Sequence, residues 1–296
     1  MSICEIVVAS GKGGTGKTFI ASNLAYFLAK SNHNVIAIDA DVEAPDLLLA
    51  LGGAKGILWK NEYYGAEVPI IDYKRCMKCW KCIEACKFEA LRKGKRGPIV
   101  DYNSCEGLGV CGLVCPVDAI SFKPRRTGLL YAAYSSLDIL VITGELDLGG
   151  KNSGRLVYEL KRKAYDLGKK LDVGYLIVDA APGIGCPVIS SLVGASLLII
   201  VVEPTPQSIK GAQRLLTLAK LLDIRSVLVL NKYDLNPGYL GKAASLLGVP
   251  VLGKIRYDEM VVSAYTSMTP ILMLAPGSAV SRELKTTFER LMGLLT

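Results

Sequence analysis

Residues 3–9 form a short, mainly apolar, β-leaning run that halts at Ser10 and Gly11, and an apolar pattern of helical period begins near Gly16. This predicts a strand, a loop and a helix in that order. Residues 35–38, 174–178, 197–202, 227–230 and 251–255 are further continuous apolar runs, separated by stretches of helical period such as 208–222. Runs that are apolar throughout suit strands covered on both faces. The pattern therefore predicts an α/β fold with a doubly wound, mostly parallel sheet in three α/β/α layers. Between about Tyr63 and Pro124 the rhythm stops. That stretch is rich in Cys, Lys, Arg and Gly and carries two similar cysteine clusters with related tails, Phe88-Glu89-Ala90-Leu91 and Val117-Asp118-Ala119-Ile120. It reads as a duplicated small module, residues 63–123, inserted into a domain formed by residues 1–62 and 124–296. Near the end, Leu284, Phe288, Leu291 and Leu295 share one helical face. Residues 281–296 lack the Lys/Arg enrichment of a membrane anchor, so that face is expected in the core.

Composition narrows the class. With 296 residues, 51% of them apolar and 21% charged, the chain is globular. Its longest apolar runs, such as 195–202, fall short of the roughly 18 residues that a membrane span needs. No charged and then apolar leader precedes the Gly-rich loop, and the expectation is a soluble, cytoplasmic protein. Seven of the nine cysteines lie between Cys76 and Cys115. In a leaderless α/β chain that crowding favours metal binding over disulfides.

Gly11-Lys12-Gly13-Gly14-Thr15-Gly16-Lys17-Thr18 fits the pattern G-x-x-x-x-G-K-[ST], and it stands between a predicted strand and a predicted helix, as the phosphate-binding loop requires. Backbone N–H groups of Gly13, Gly14, Thr15 and Gly16 can close around phosphate oxygens at the positive end of the helix. Lys17 would then hold the β- and γ-phosphates, and Thr18 would ligate Mg²⁺. A merely tight Gly-rich turn is the alternative. Asp39 and Asp41 follow the second strand and Asp179 ends the run 174–178, so all three can face the crevice where such sheets bind ligands. Asp39 and Asp179 are the expected Mg²⁺ partners of Thr18; as surface caps they would be unremarked.

These residues carry a resemblance. The loop with its extra Lys12, the stretch Asp39-Ala40-Asp41-Val42-Glu43-Ala44-Pro45-Asp46 and the loop Asp179-Ala180-Ala181-Pro182-Gly183 resemble the deviant Walker A, switch I and Walker B/switch II segments of MinD/ParA/Mrp ATPases. With the cysteine module included, the chain resembles members of that superfamily that carry an inserted ferredoxin domain. The resemblance implies ATP hydrolysis by a homodimer. Lys12 would reach the partner's nucleotide, Asp41 would position the attacking water, and Asn231 would contact the base.

Cys76-x2-Cys79-x2-Cys82-x3-Cys86 has the spacing of a bacterial ferredoxin run, whose fourth cysteine ligates the other cluster. A second run follows, Cys105, Cys111, Cys115 and Pro116, with Leu108 where its second cysteine belongs. Crossed ligation assigns Cys76, Cys79, Cys82 and Cys115 to one 4Fe-4S cluster. Cys86, Cys105 and Cys111 are left for a second, incomplete site, expected to hold a 3Fe-4S cluster, a 4Fe-4S cluster with an outside ligand, or nothing stable. Lys87 replaces the usual proline, a smaller departure. Zinc also suits paired C-x2-C spacings, although three successive short spacings fit it less well. Cys4 is expected as a packed strand residue, His33 as a surface residue, and Cys186 as a packed thiol or a redox group.

From Asp72 to Arg126 there are twelve Lys/Arg against six Asp/Glu, a net +6 of the chain's +8. Such an excess favours an acidic redox or iron-sulfur client protein, with a plain solvated face as the alternative. No nucleic-acid recognition motif accompanies it, and neither nucleic acid nor membrane is an expected partner. The functional expectation is an ATPase whose nucleotide state gates electron transfer to a partner. The alternatives are an iron-sulfur carrier and a MinD-like positioning ATPase with a structural cysteine module.

Overall fold

The computed structural model describes residues 3–150 and 152–295. The chain divides into two compact units, one of Met1–Asn61, Leu130–Glu145 and Gly154–Thr296, the other of Glu62–Leu129 and Leu146–Ser153.

The first unit opens with β1 (Cys4–Ala9), α1 (Lys17–Lys30), β2 (Val35–Ala40), α2 (Leu47–Ala50) and β3 (Ala54–Tyr63). The second unit follows with β4 (Ala66–Ile71), α3 (Lys81–Ala85), β5 (Leu91–Lys93), β6 (Pro98–Val100), α4 (Val110–Leu113) and β7 (Ile120–Arg125). After it come β8 (Gly128–Ser135), β9 (Leu140–Leu146), α5 (Ser153–Lys170), β10 (Tyr175–Ala180), α6 (Cys186–Leu192), β11 (Leu197–Val202) and α7 (Pro206–Leu221). The chain ends with β12 (Ser226–Asn231), α8 (Pro237–Leu247), β13 (Val251–Ile255), α9 (Met260–Thr266), α10 (Ile271–Leu274) and α11 (Ala279–Leu295).

Nine strands form one sheet in the order β13-β12-β11-β1-β10-β2-β9-β8-β3. From β13 to β9 every neighbouring pair of strands is parallel, as the continuous apolar runs predict. β8 and β9 are joined by residues 136–139, far too few for a crossover, so β8 turns back on β9 as a hairpin. Ile6 and Val8 of β1 pack in one cluster with Leu24 and Leu28 of α1 and with Leu284, Phe288 and Leu291 of α11. Phe27 and Phe288 bring α1 against α11 with ring centroids 5.5 Å apart. The terminal helix thus lies in the core, as its apolar face predicts. On the opposite face of the sheet, fully buried Glu5 of β1 meets the ammonium of Lys161 in α5 at 2.7 Å. That ammonium also donates to the carbonyls of Ser191 (2.8 Å) and Val193 (2.6 Å) at the end of α6.

The second unit is an internal duplication with an offset of 29 residues. Asp72 and Asp101 accept the backbone N–H of Lys74 (2.9 Å) and Asn103 (3.0 Å). Trp80 (φ 65°) and Gly109 (φ 75°) start α3 and α4 from the left-handed region, and Glu89 (φ 52°) and Asp118 (φ 47°) follow them in the same conformation. β4 pairs antiparallel with β7, and β5 with β6. The halves are tied reciprocally, Asp72 N–H donating to Ala119 O and Asp101 N–H to Ala90 O, both at 2.8 Å. Residues 146–153 also belong to this unit, beyond the expected segment 63–123. Tyr63 donates its hydroxyl to Asn152 O at 3.1 Å, and Arg126 pairs with Asp147 at 3.4 Å. Such distant partners leave no local pattern in the sequence.

Candidate functional site

The Gly-rich loop leaves β1 where its neighbours β11 and β10 belong to opposite wings of the sheet, the switch point at which α/β sheets bind ligands. Two of its glycines, Gly11 and Gly16, are required by close approach. A Cβ on Gly11 would stand 2.1 Å from the backbone of Gly211 in α7, and one on Gly16, at φ 96°, would stand 2.5 Å from Asn231 Nδ2. Asn231 donates that amide to Thr15 O at 2.8 Å, and Lys232 donates to Gly14 O at 2.9 Å. Asn231, expected at the base of a nucleotide, also braces the loop. Its remaining N–H and its carbonyl are what it can offer to a ligand.

Thr18 Oγ1 lies 2.6 Å from Asp179 Oδ2 and 3.1 Å from Asp46 Oδ1. The other oxygen of Asp179 is buried without a hydrogen-bond partner among the described residues. Burial pushes Asp179 up to about 7, Asp46 and Asp41 push it the same way, and Thr18 and Lys17 pull it down. A divalent cation beside Thr18 would meet the unpaired oxygen and favour the ionised carboxylate, so the residues fit Mg²⁺. Asp39 sits level with Asp179 on the adjacent strand and is fully buried. Burial raises it well above the carboxylate range, with the charge of Asp179 adding. Its oxygens accept the backbone N–H of Asp41 (3.2 Å) and Leu47 (2.8 Å). Asp39 therefore shapes the loop that presents Asp41 and Asp46, and the acid touching Thr18 beside Asp179 is Asp46. Asp46 stood in the quoted stretch, yet nothing in its local pattern set it apart from Glu43.

The loop opens on a cavity of about 490 Å³ lined by Gly13, Gly14, Gly16, Lys17 and Thr18, by Asp41 and Asp46, and across from them by Arg256, Tyr257 and Tyr265. That size suits a nucleotide-class ligand. Burial pushes the Tyr265 phenol up, with Asp46 and Asp179 adding. Lys17 is 8% exposed and within electrostatic reach of Asp41, Asp46 and Asp179. Lys12, by contrast, pairs with Glu203 at 2.5 Å. Glu203 also holds Lys232 at 3.1 Å. Burial alone would raise Glu203, but Lys12 and Lys232 outweigh it and hold the carboxylate low.

Residues 6–271 match the model of the CobQ/CobB/MinD/ParA nucleotide-binding domain. The chain belongs to this family. Among relatives of the MinD/ParA family member, an uncharacterised protein of Methanocaldococcus jannaschii is 32% identical over 292 residues, 98% of this chain and 96% of the relative. The septum site-determining protein MinD of Synechocystis is 26% identical over 275 residues, 90% of this chain and 81% of the relative. The fold is that of the Pyrococcus furiosus cell division ATPase MinD, at a TM-score of 0.62 and 17% identity over 99% of this chain and all of that one. MinD of Pyrococcus horikoshii, solved with Mg-ADP, gives 0.63 at 16% identity over 99% of this chain and 98% of that one.

The MinD/ParA family member's cysteines gather in its second unit. Cys82 is pushed up to about 11 by burial, with Cys111, Cys76 and Cys79 adding. Cys115 accepts the backbone N–H of Ala119 at 3.3 Å. Cys86, Cys105 and Cys111 line one cavity of about 320 Å³ together with Leu108 and Phe122. Burial raises Cys111, and Cys105 and Cys86 add to it. Among the described residues no three His, Cys, Asp or Glu side chains close to the spacing of a single metal ion. Outside the unit, Cys4 is half-buried and Cys186 is exposed. His33 is half-buried and meets Tyr175 edge-on, with centroids 5.2 Å apart, where a plain surface position was expected. Among the described residues no helix is long and apolar enough to cross a membrane.

Proposed function

We propose that this protein is an ATP-hydrolysing nucleotide switch of the MinD kind, acting as a homodimer. The observation that carries the reading is the triad of Thr18, Asp179 and Asp46, with one buried Asp179 oxygen unpaired beside a phosphate loop. Lys17 would bind the β- and γ-phosphates, and the N–H groups of Gly13 to Gly16 would orient them. Thr18, Asp179 and Asp46 would hold Mg²⁺, which neutralises phosphate charge. Asp41 lines the cavity, where it would orient the attacking water. Lys12 would leave Glu203 to reach the partner's nucleotide, coupling dimerisation to ATP. Relatives named for septum-site determination favour a positioning switch over gated electron transfer. The prediction is that Lys17→Ala abolishes ATP turnover while the protein stays folded. Unchanged hydrolysis would sink the site assignment.

A second reading concerns the inserted unit and is favoured by its duplicated cysteine geometry. Cys76, Cys79, Cys82 and Cys115 would hold a 4Fe-4S cluster, which supplies one-electron chemistry, and the basic surface around them would suit an acidic client protein. Iron and sulfide analysis of anaerobically purified protein decides this. Zinc without sulfide would leave a MinD-like switch with a structural module.

A further inference from the structure

We infer that Cys86, Cys105 and Cys111 form a second iron-sulfur site of three thiolates, one corner of which has no protein ligand. This rests on the cluster reading of the inserted unit and deepens it. The duplication pairs Cys76 with Cys105, Cys82 with Cys111 and Cys86 with Cys115, and by the same offset of 29 residues it pairs Cys79 with Leu108. The three thiols bound a single cavity of about 320 Å³, and Leu108 lies on its wall. Leu108 is exposed, as are Met77, Phe88 and Leu113 of the same unit. It has no lone pair to offer. A cube of four irons in this cavity would have three irons held by thiolates and a fourth held only by sulfide and by what solution supplies.

The consequence is an exchangeable iron. Oxidation by ferricyanide would take one electron from a [4Fe-4S]²⁺ cluster and release Fe²⁺, leaving [3Fe-4S]⁺. Fe²⁺ and an electron from dithionite would reverse the step. Glu106 also lines the cavity and is the carboxylate that could close the corner instead.

The test uses the full chain, reconstituted anaerobically with Fe²⁺ and sulfide and read by iron content and EPR. The wild type should hold about eight irons and lose one to ferricyanide as a [3Fe-4S]⁺ signal appears. Leu108→Cys should keep every iron and show no such signal. Cys105→Ser should fall to about four irons and also lose the signal. A wild type with about four irons that are lost in Cys76→Ser and untouched by Cys105→Ser would overturn this inference and leave the first cluster standing. A wild type that keeps all its iron under ferricyanide, when Glu106→Gln does not, would also overturn it, because Glu106 would then be the fourth ligand. No iron or sulfide at all would sink the cluster reading itself.

Discussion

Lys161→Met tests the buried ion pair that joins β1 to α5. The substitution keeps an apolar stem and removes an ammonium that touches Glu5 at 2.7 Å, Val193 O at 2.6 Å and Ser191 O at 2.8 Å. Glu5 is fully buried, so it cannot turn to water. It can take a proton instead, which at pH 7 costs about 3.5 kcal/mol, at 1.36 kcal/mol per pH unit above its ordinary value. Of the three carbonyls the ammonium meets, the two nearer ones, of Ser191 and Val193, add roughly 1 kcal/mol each. The deficit should be about 5 kcal/mol at pH 7, at the upper end for breaking a buried pair. Burial already raises Glu5 and Lys161 opposes that rise. Without Lys161 the native state holds a proton that the unfolded chain has released, so the variant gains stability as pH falls. Between pH 7 and pH 5 the gap to the wild type should narrow by about 2.7 kcal/mol. Urea unfolding followed by circular dichroism at both pH values measures it. A deficit below about 1 kcal/mol, the worth of a surface pair, or an equal deficit at both pH values, would refute the reasoning.

The raised Asp179 makes Mg²⁺ binding pH-dependent, because the metal needs the ionised carboxylate. Below about 7 the affinity should fall by up to about tenfold per pH unit with protons released on binding, and calorimetry showing a flat affinity from pH 6 to pH 8 would count against it. In the metal-free protein the sign reverses. The folded state keeps a proton that an ordinary carboxylate loses near about 4, so stability declines as pH climbs from there toward 7. Glu203→Gln should release Lys12 and strengthen ATP-dependent pairing of two chains by about two- to fivefold, the worth of a partly exposed pair. Sedimentation equilibrium with a non-hydrolysable ATP analogue measures this, and weaker pairing would show that Glu203 supports the active loop rather than restraining it.

The central sheet was legible because burial on both faces leaves long apolar runs, and the phosphate loop was legible because its glycines answer local steric demands. β3 was not legible. Its sequence, Ala-Lys-Gly-Ile-Leu-Trp-Lys-Asn-Glu-Tyr, is mostly exposed, so solvent imposed no apolar pattern on it. Nothing in the local sequence marks the role of Glu5, because its partner lies 156 positions away, in a helix with its own amphipathic face. Asp46, Glu203 and Lys232 eluded the sequence reading for a similar reason. Each acquires its role from a contact with a residue far along the chain, and local spacing carries no trace of that. That Cys86 would share a cavity with Cys105 and Cys111 was accessible only through the rule of crossed ligation; the spacing alone would have grouped Cys86 with its neighbours.

The reciprocal ties between the halves of the cysteine unit bear on how the protein is made. When residues 66–91 first leave the ribosome, β4 lacks its partner strand and the N–H of Asp72 lacks the carbonyl of Ala119. Cys76, Cys79 and Cys82 then stand as open thiols until about 30 further residues have followed. A nascent chain arrested near Gly97 lacks β7 and Ala119, so its thiols would face solvent without those partners, a window in which oxygen or a stray metal competes with correct assembly.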